Sequence, residues 1–150
     1  MSTIAARTSA YREAMSELAS GVVLVTCSVG GRPWGMTVTA FQLISAEPPV
    51  VLVSLDSGTR TARAVQAQRR FGISILAERH AELARSCARP GAAKYLDSFE
   101  VDDALAELDC EVIDTVRIAD HVVFLGRVRD VRVVGDEPAL VYHRRAFRAV

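Results

Sequence analysis

The sequence predicts a mainly β protein, a small β-barrel with a few helices packed outside it. Three observations lead to this class: predicted strands outnumber predicted helices, closely spaced glycine and proline turns join many of them, and the apolar runs are strand-sized. Hydrophobic residues make up 50% of the 150 residues, so the chain can bury a core. We treat residues 1–150 as a single domain in which residues 1–10 form a flexible N-terminus.

The first half of the chain predicts two helices separated by three strands. Tyr11, Met15 and Leu18 recur at helical spacing behind Ser9, which is the expected N-cap. The predicted elements are a helix over residues 11–18, strands over residues 22–29, 34–41 and 50–56, and a helix over residues 60–68.

The second half predicts further strands around one helix. We expect a bulge near Arg129-Asp130, because the apolar phase of the long strand slips there. The predicted elements are a strand over residues 71–76, a helix over 78–88, a polar irregular stretch over 97–107, strands over 108–113 and 121–133, and a last strand pair that begins over 139–142.

Composition excludes several classes of protein. Lys+Arg and Asp+Glu both number 18 and aromatic residues make up 6%, which disfavours a nucleic-acid-binding surface. No apolar run is long enough to cross a bilayer, and the N-terminus lacks a signal core. The 3 cysteines have no CxxC spacing, and no residues fall at metal-ligand spacing. We therefore expect a cytoplasmic protein with buried thiols, no metal and no membrane or nucleic-acid partner.

The strand over residues 34–41 carries the first candidate site. Its period of two places Thr37 and Thr39 on one face with Gly35, while Met36 and Val38 share the opposite, core-facing side. Paired hydroxyls beside a glycine can lie along a flat ligand. An ordinary half-exposed strand, with threonines that suit β-structure, has the same pattern.

Two other segments combine chemistry with a chain turn. The stretch from Ser54 to Thr61 ends a strand and begins a helix, where free N–H groups and the hydroxyls of Ser57 and Thr61 can attract an anion. Simple N-capping by Ser57 or Thr59 explains the same residues. Asp120 beside His121 can orient a ring or a substrate near a barrel mouth, or can be a surface pair.

These segments occur in an order that resembles the short-chain flavin reductase family, the small reductase components of two-component flavin monooxygenases. The resemblance covers the chain from about Tyr11 to the C-terminus. The matching stretches are residues 21–26, 35–41, 45–49, 51–61, 71–76, 120–121 and 138–142.

That resemblance implies an FMN-binding split β-barrel that works as a homodimer. It implies hydride transfer from NADH or NADPH to FMN or FAD, with the reduced flavin passing to a separate monooxygenase. A non-catalytic flavin-binding module and a flavin-dependent oxidase of the same barrel are the alternatives.

The resemblance also implies roles for individual residues. The ring and ribityl chain of flavin would contact the strand that contains Thr37. The ring edge and the phosphate would contact the segment from Ser54 to Thr61, and Lys94 would also contact the phosphate. His121 would position the nicotinamide. The implied flavin contacts are Met36, Thr37, Val38 and Thr39 on the strand, then Ser54, Leu55, Asp56, Ser57 and Thr61, and finally Lys94. The chain departs from the family pattern at Ala119 and after Tyr142, where glycine is usual.

Overall fold

The structure is a computed structural model that describes residues 3–97 and 104–150. Within those residues the chain folds into three α-helices, a short 3-10 turn at Glu78–His80 and ten β-strands. In chain order the elements are α1 Ile4–Ser16, β1 Ser20–Gly21, β2 Val23–Val29, β3 Arg32–Val38, β4 Phe41–Ala46, β5 Pro49–Asp56, α2 Arg60–Gln68, β6 Arg70–Ile75, α3 Ala81–Ala88, β7 Ala106–Ile118, β8 His121–Val133, β9 Leu140–His143 and β10 Ala146–Ala149.

Seven antiparallel strands form one sheet in the order β3-β2-β6-β7-β8-β5-β4, and β1, β9 and β10 form a second, smaller sheet. The edge strands β3 and β4 lie at opposite ends of the large sheet, yet only Thr39 and Ala40 separate them along the chain. A link that short forces the two edges together, so the sheet curls into a barrel. The predicted mainly β class with peripheral helices is confirmed.

Apolar side chains from both faces of the large sheet are buried. The interior of the barrel is filled around Phe71 and Phe124, and Ala62 and Val65 of α2 enter it from one end. A second cluster, which includes Leu24 and residues of α3, lies on the outer face. Each fully buried side chain of this size contributes about 1.5–3 kcal/mol relative to its exposed state. The strands are therefore apolar on both sides wherever a helix covers them.

The β7–β8 pair contains the irregularity that the sequence predicts. Asp109 pairs with Asp130 and Cys110 pairs with Val128, so Arg129 is the additional residue of a bulge. A second register shift, between Val112 and Asp114, was not predicted.

Several predicted boundaries are wrong. The first helix begins at Ile4 rather than Tyr11, because the Thr3 side chain accepts a hydrogen bond from the Ala6 amide and caps it in place of Ser9. The strand predicted over residues 34–41 ends at Val38, and β4 follows as a strand that the sequence analysis missed. β7 spans Ala106–Ile118, far beyond residues 108–113. The irregular stretch predicted over 97–107 lies partly outside the described residues.

Helix α1 has no buried residue and exposes Ile4, Tyr11 and Met15. Its C-terminus is attached to the β9–β10 hairpin, where the Arg144 guanidinium pairs with the Glu17 carboxylate at 2.9 Å. The single-domain organisation and the flexibility of residues 1–10 stay predictions. Among the helices of the described residues, none is both long and apolar enough to cross a membrane.

Candidate functional site

The barrel has a gap where β3 and β5 approach each other without pairing. The Gly35 amide donates to the Lys94 carbonyl oxygen at 3.0 Å, so the backbone groups of Gly35 point away from β2. Directions alternate along a strand, so the N–H and C=O of Thr37 point the same way. Within the described residues, neither group of Thr37 has a backbone partner on that side.

Strand β5 presents the opposite edge of this gap. It pairs with β4 only as far as Val53, and the Ser54 amide donates to the Ala40 carbonyl oxygen at 3.0 Å. The Asp56 amide points in the same direction as that of Ser54, away from β8. Two strand edges with available backbone donors and acceptors thus face one space, an arrangement that suits the polar edge of a flat heterocycle.

A cavity of about 540 Å³ opens at this gap. It is of the size that small-ligand sites have. Its wall contains both strand edges, the start of α2 and the segment that follows α3. The lining residues are Trp34, Met36, Thr37, Asp56, Gly58, Thr59, Arg60, Thr61, Arg63, Ala88, Arg89, Pro90, Gly91, Ala92 and Lys94.

Thr61 and Lys94 are buried polar residues in this wall, with 1% and 8% of their surfaces exposed. The Trp34 indole N–H donates to the Thr61 hydroxyl oxygen at 2.9 Å. The Thr61 proton therefore stays available as a donor. The Lys94 ammonium donates to the carbonyl oxygens of Arg89 and Ala92 at 2.7 and 3.2 Å, which leaves its third proton for a ligand.

The N-terminus of α2 adds positive potential to the same wall. Thr59 caps the helix by accepting from the Ala62 amide at 3.1 Å, while its own hydroxyl donates to the Asp56 carbonyl oxygen. Arg60 and Arg63 both line the cavity. A helix N-terminus with two arginines, a lysine and a buried hydroxyl donor favours a bound phosphate.

The structure brings some predicted site residues together and separates others. Met36, Thr37, Asp56, Thr61 and Lys94 line the 540 Å³ cavity. Three further predicted residues lie elsewhere in this region: Val38 and Thr39 line an adjoining cavity, and Leu55 is buried in the barrel core. Ser54 lies on the edge of the gap through its backbone.

Ser57 lies in the turn that follows β5, and His121 begins β8 directly after the turn at Ala119-Asp120. The Ser57 amide and hydroxyl both donate to the Asp120 carbonyl oxygen, at 2.9 and 3.0 Å. The His121 Nδ1 atom lies 2.8 Å from the Asp120 carboxylate, and that hydrogen bond lowers the pKa of Asp120. His121 pairs across the strands with Asp56. It therefore stands beside the gap, on an exposed turn that Ser57 ties to β5.

Ala119, in the turn between β7 and β8, has a φ of 52°. That is the left-handed region, where glycine fits without a steric penalty and alanine does not. The geometry gives a physical reason for the glycine that the family pattern places here.

The sequence analysis missed several residues of the site, among them Trp34, Arg63 and Arg89. Trp34 is absent from the predicted contacts, yet its indole N–H donates to the Thr61 hydroxyl oxygen, and the Arg60 guanidinium lies over its ring at 5.7 Å. Arg89 was absent from the predicted contacts because only the tertiary fold brings the end of α3 to β3. Pro90-Gly91 indicates in the sequence that α3 ends there. It does not indicate that this end of the helix faces a ligand.

Comparison with known proteins agrees with this geometry. The flavin reductase like domain family matches residues 15–150. The reductase component of 4-hydroxyphenylacetate 3-monooxygenase from Thermus thermophilus is 32% identical over 140 residues, covering 93% of this chain and 94% of that protein. An NADH:riboflavin 5'-phosphate oxidoreductase from Streptomyces pristinaespiralis is 36% identical over 152 residues, covering 91% of this chain and 85% of the other.

A solved structure shows the same fold. The styrene monooxygenase flavin reductase from Pseudomonas putida S12 superimposes with a TM-score of 0.82 at 27% identity, covering 93% of this chain and 96% of that one. The shared fold, with its gap between β3 and β5 and its phosphate-attracting wall, therefore places the chain in a flavin-binding class of proteins. The chain belongs to the flavin reductase family, and the enzyme class that the sequence resemblance implies is confirmed.

Proposed function

We propose that this protein is an NADH-dependent flavin reductase that supplies reduced FMN or FAD to a separate flavin-dependent monooxygenase. One observation carries the proposal: two strand edges with available backbone groups and a phosphate-attracting wall meet in a single 540 Å³ cavity. The relatives described as a monooxygenase reductase component and as an NADH:riboflavin 5'-phosphate oxidoreductase support the choice of partner and co-substrate.

The residues of the cavity divide the recognition of flavin between them. Thr61, Lys94 and Arg63 bind the phosphate by charge-assisted hydrogen bonds, which are stronger than neutral ones. The backbone groups of Thr37 and Asp56 meet the polar edge of the ring. When bound, flavin supplies the chemistry, since its N5 atom accepts hydride from C4 of the reduced nicotinamide. The protein supplies position and electrostatics.

His121 positions the nicotinamide. Its ring is fixed through Nδ1 by the Asp120 carboxylate, which leaves Nε2 to meet the carboxamide of the co-substrate. The turn that holds it is joined to β5 through Ser57, so the imidazole keeps a constant place relative to the gap.

The test is anaerobic mixing of the flavin-loaded protein with NADH. We expect the flavin absorbance band to bleach, and in air we expect NADH to be consumed continuously in the presence of flavin. A band that stays unchanged with both NADH and NADPH means a non-catalytic flavin-binding module. Oxygen uptake that depends on an organic substrate instead of NADH means an oxidase, and either result refutes the proposal.

We also propose that the protein is a homodimer. Large apolar side chains are exposed on β4 at Leu43 and Ile44 and on β7 at Val116 and Ile118, with 63%, 50%, 43% and 58% of their surfaces exposed. A second copy covers such apolar surface symmetrically. Light scattering at micromolar concentration should give twice the mass of 16.3 kDa, and a monomer mass contradicts the proposal.

The cysteines favour a reducing, cytoplasmic location for this enzyme. All three are free, and burial raises the pKa of Cys27 and Cys87 to about 11 and that of Cys110 to about 12. Thiols with such pKa values remain protonated and unreactive near neutral pH.

A further inference from the structure

The segment that follows α3 pairs with the outer edge of β3. The Gly35 amide donates to the Lys94 carbonyl oxygen at 3.0 Å, and Tyr95 lies opposite Trp34 as an antiparallel bridge. This short pairing brings Lys94 to the wall of the 540 Å³ cavity. The place of its ammonium group in that wall therefore depends on how the segment is held against β3.

Leu96 anchors the backbone of this segment in the apolar cluster on the outer face of the sheet. It is 8% exposed and belongs to that cluster together with Leu24. Gly35 permits the close approach, because a Cβ there would lie 2.9 Å from the Leu24 side chain and 3.1 Å from that of Leu96. The backbone of the segment is thus fixed by core packing, independently of the Tyr95 side chain.

The Tyr95 ring lies between the protein surface and Trp34. The two rings meet edge to face, with centroids 5.0 Å apart and planes at 86°. The Arg32 guanidinium lies over the Tyr95 ring at 3.8 Å from its centroid, a cation–π contact. Arg32 is held in turn by the Asp97 carboxylate, 2.6 Å from its Nη2 atom. Side-chain contacts therefore run without a break from the surface to Trp34.

Trp34 contacts the two buried donors of the cavity wall. Its indole N–H donates to the Thr61 hydroxyl oxygen at 2.9 Å, and the Lys94 ammonium lies 5.9 Å from its ring centroid. Thr61 belongs to α2, whereas Lys94 belongs to the segment after α3. Because one rigid ring contacts both side chains, its orientation sets the distance between a hydroxyl and an ammonium group that come from different elements.

We propose that Tyr95, held by Arg32, is a positioning residue for the phosphate site. Its ring fixes Trp34, which keeps the Thr61 hydroxyl and the Lys94 ammonium at the spacing that one phosphate requires. Neither Tyr95 nor Arg32 lines the cavity, so both act through residues that do. This inference rests on the proposed function, because it takes the flavin phosphate as the ligand of that wall.

The first experiment compares FMN and riboflavin affinities by flavin fluorescence titration. In Tyr95→Leu, loss of the aromatic contact should weaken FMN binding about two- to tenfold. Riboflavin has no phosphate, so its affinity should stay the same. Tyr95→Phe keeps the ring and should bind FMN as the unmodified protein does. Tyr11→Leu removes a tyrosine that is exposed on α1, and as the control it should change neither affinity.

Arg32→Gln tests the same arrangement from the surface. The Arg32 side chain is 54% exposed, so this variant should fold even if Tyr95→Leu does not. Loss of the cation–π contact should weaken FMN binding about two- to fivefold, again without an effect on riboflavin. Arg70→Gln is the matched control, because Arg70 also pairs with a carboxylate, that of Asp109 at 2.5 Å, and does not line the cavity.

The third experiment places Tyr95→Leu in a Thr61→Val/Lys94→Met background. Both positioned donors are then absent, so the ratio of FMN to riboflavin affinity should not fall further. A further twofold fall overturns the proposal, because Tyr95 would then act on some other group.

Two other results also overturn the proposal. One is unchanged FMN affinity in Tyr95→Leu, or in Arg32→Gln if the first variant does not fold. The other is an equal loss for FMN and riboflavin, which would mean a general disturbance of the cavity. Failure of the proposed function is a separate result, since the protein would then show these affinities without oxidising NADH.

Discussion

Thr61→Val replaces a buried hydroxyl by a methyl group of almost the same shape. In the protein the Thr61 oxygen accepts the Trp34 indole N–H at 2.9 Å, and its own proton stays available as a donor to a ligand in the cavity that Thr61 lines. The substitution thus removes one contact to a ligand and one contact within the fold. These two losses are separable by experiment.

The ligand contact is a hydrogen bond to a phosphate. Such bonds to charged groups contribute about 1.5–3 kcal/mol, so FMN affinity should fall roughly ten- to a hundredfold. Riboflavin has the same ring and no phosphate, so its affinity should stay the same. The ratio of the two affinities isolates the phosphate contact from any general disturbance of the barrel.

The internal contact affects stability instead. Without the Thr61 oxygen, the buried indole N–H of Trp34 has no acceptor, which costs about 1–3 kcal/mol. For a domain of this size each kcal/mol lowers the Tm by about 2–4 °C. In the double variant Trp34→Phe/Thr61→Val no indole N–H is left without an acceptor, so its stability should be close to that of Trp34→Phe alone while FMN binding stays weak.

Fluorescence titrations with FMN and riboflavin measure the affinities, and urea unfolding measures the stability of the same samples. Equal losses for both ligands would show that the variant has only distorted the cavity. Unchanged FMN affinity would show that Thr61 positions Trp34 and does not touch the phosphate. Either outcome refutes the assignment of Thr61 to the phosphate site.

Three further variants test the neighbouring parts of the fold. His121→Ala should raise the KM for NADH about three- to tenfold and leave flavin affinity unchanged, and a flavin loss of equal size contradicts its role. Ala119→Gly should raise the free energy of unfolding in urea by about 0.5–1 kcal/mol, since it relieves a positive φ. Gly126→Ala should lower it by about 1–3 kcal/mol, because the new Cβ lies 2.5 Å from the Phe71 ring. Gly21→Ala, which has open space, is the control and should change little.

Elements with a strong local pattern could be predicted from the sequence. Helix α2 has the predicted bounds, because Thr59 caps it and its buried residues recur at helical spacing. The bulge at Arg129 was found because one extra residue reverses the apolar phase of a strand. β4 was missed because Gln42, Leu43 and Ile44 are all exposed, so no alternation marks it, and no glycine or proline marks its start.

Only some of the site residues could be predicted, because the others are brought to the cavity by the tertiary fold. Thr61 lies next to its helix start in the sequence, so local chemistry points to it. Arg89 and Trp34 reach the same cavity through the packing of α3 and β3, which no local pattern reveals. Ser57 has a suitable hydroxyl by type, yet the fold directs it to the Asp120 carbonyl oxygen.

Helix α2 is joined to both strands that border the gap. Its residues Ala62 and Val65 are buried in the barrel core. The buried bond between Trp34 and Thr61 then fixes the helix to β3, while Asp56 and Thr59 join it directly to β5. The apolar face of α2 that stabilises the barrel therefore also fixes the position of its N-terminus between bonds to the two strands that border the gap. Because a helix start attracts phosphate, the packing of one element places the anchor for the nucleotide beside the edges that meet the ring.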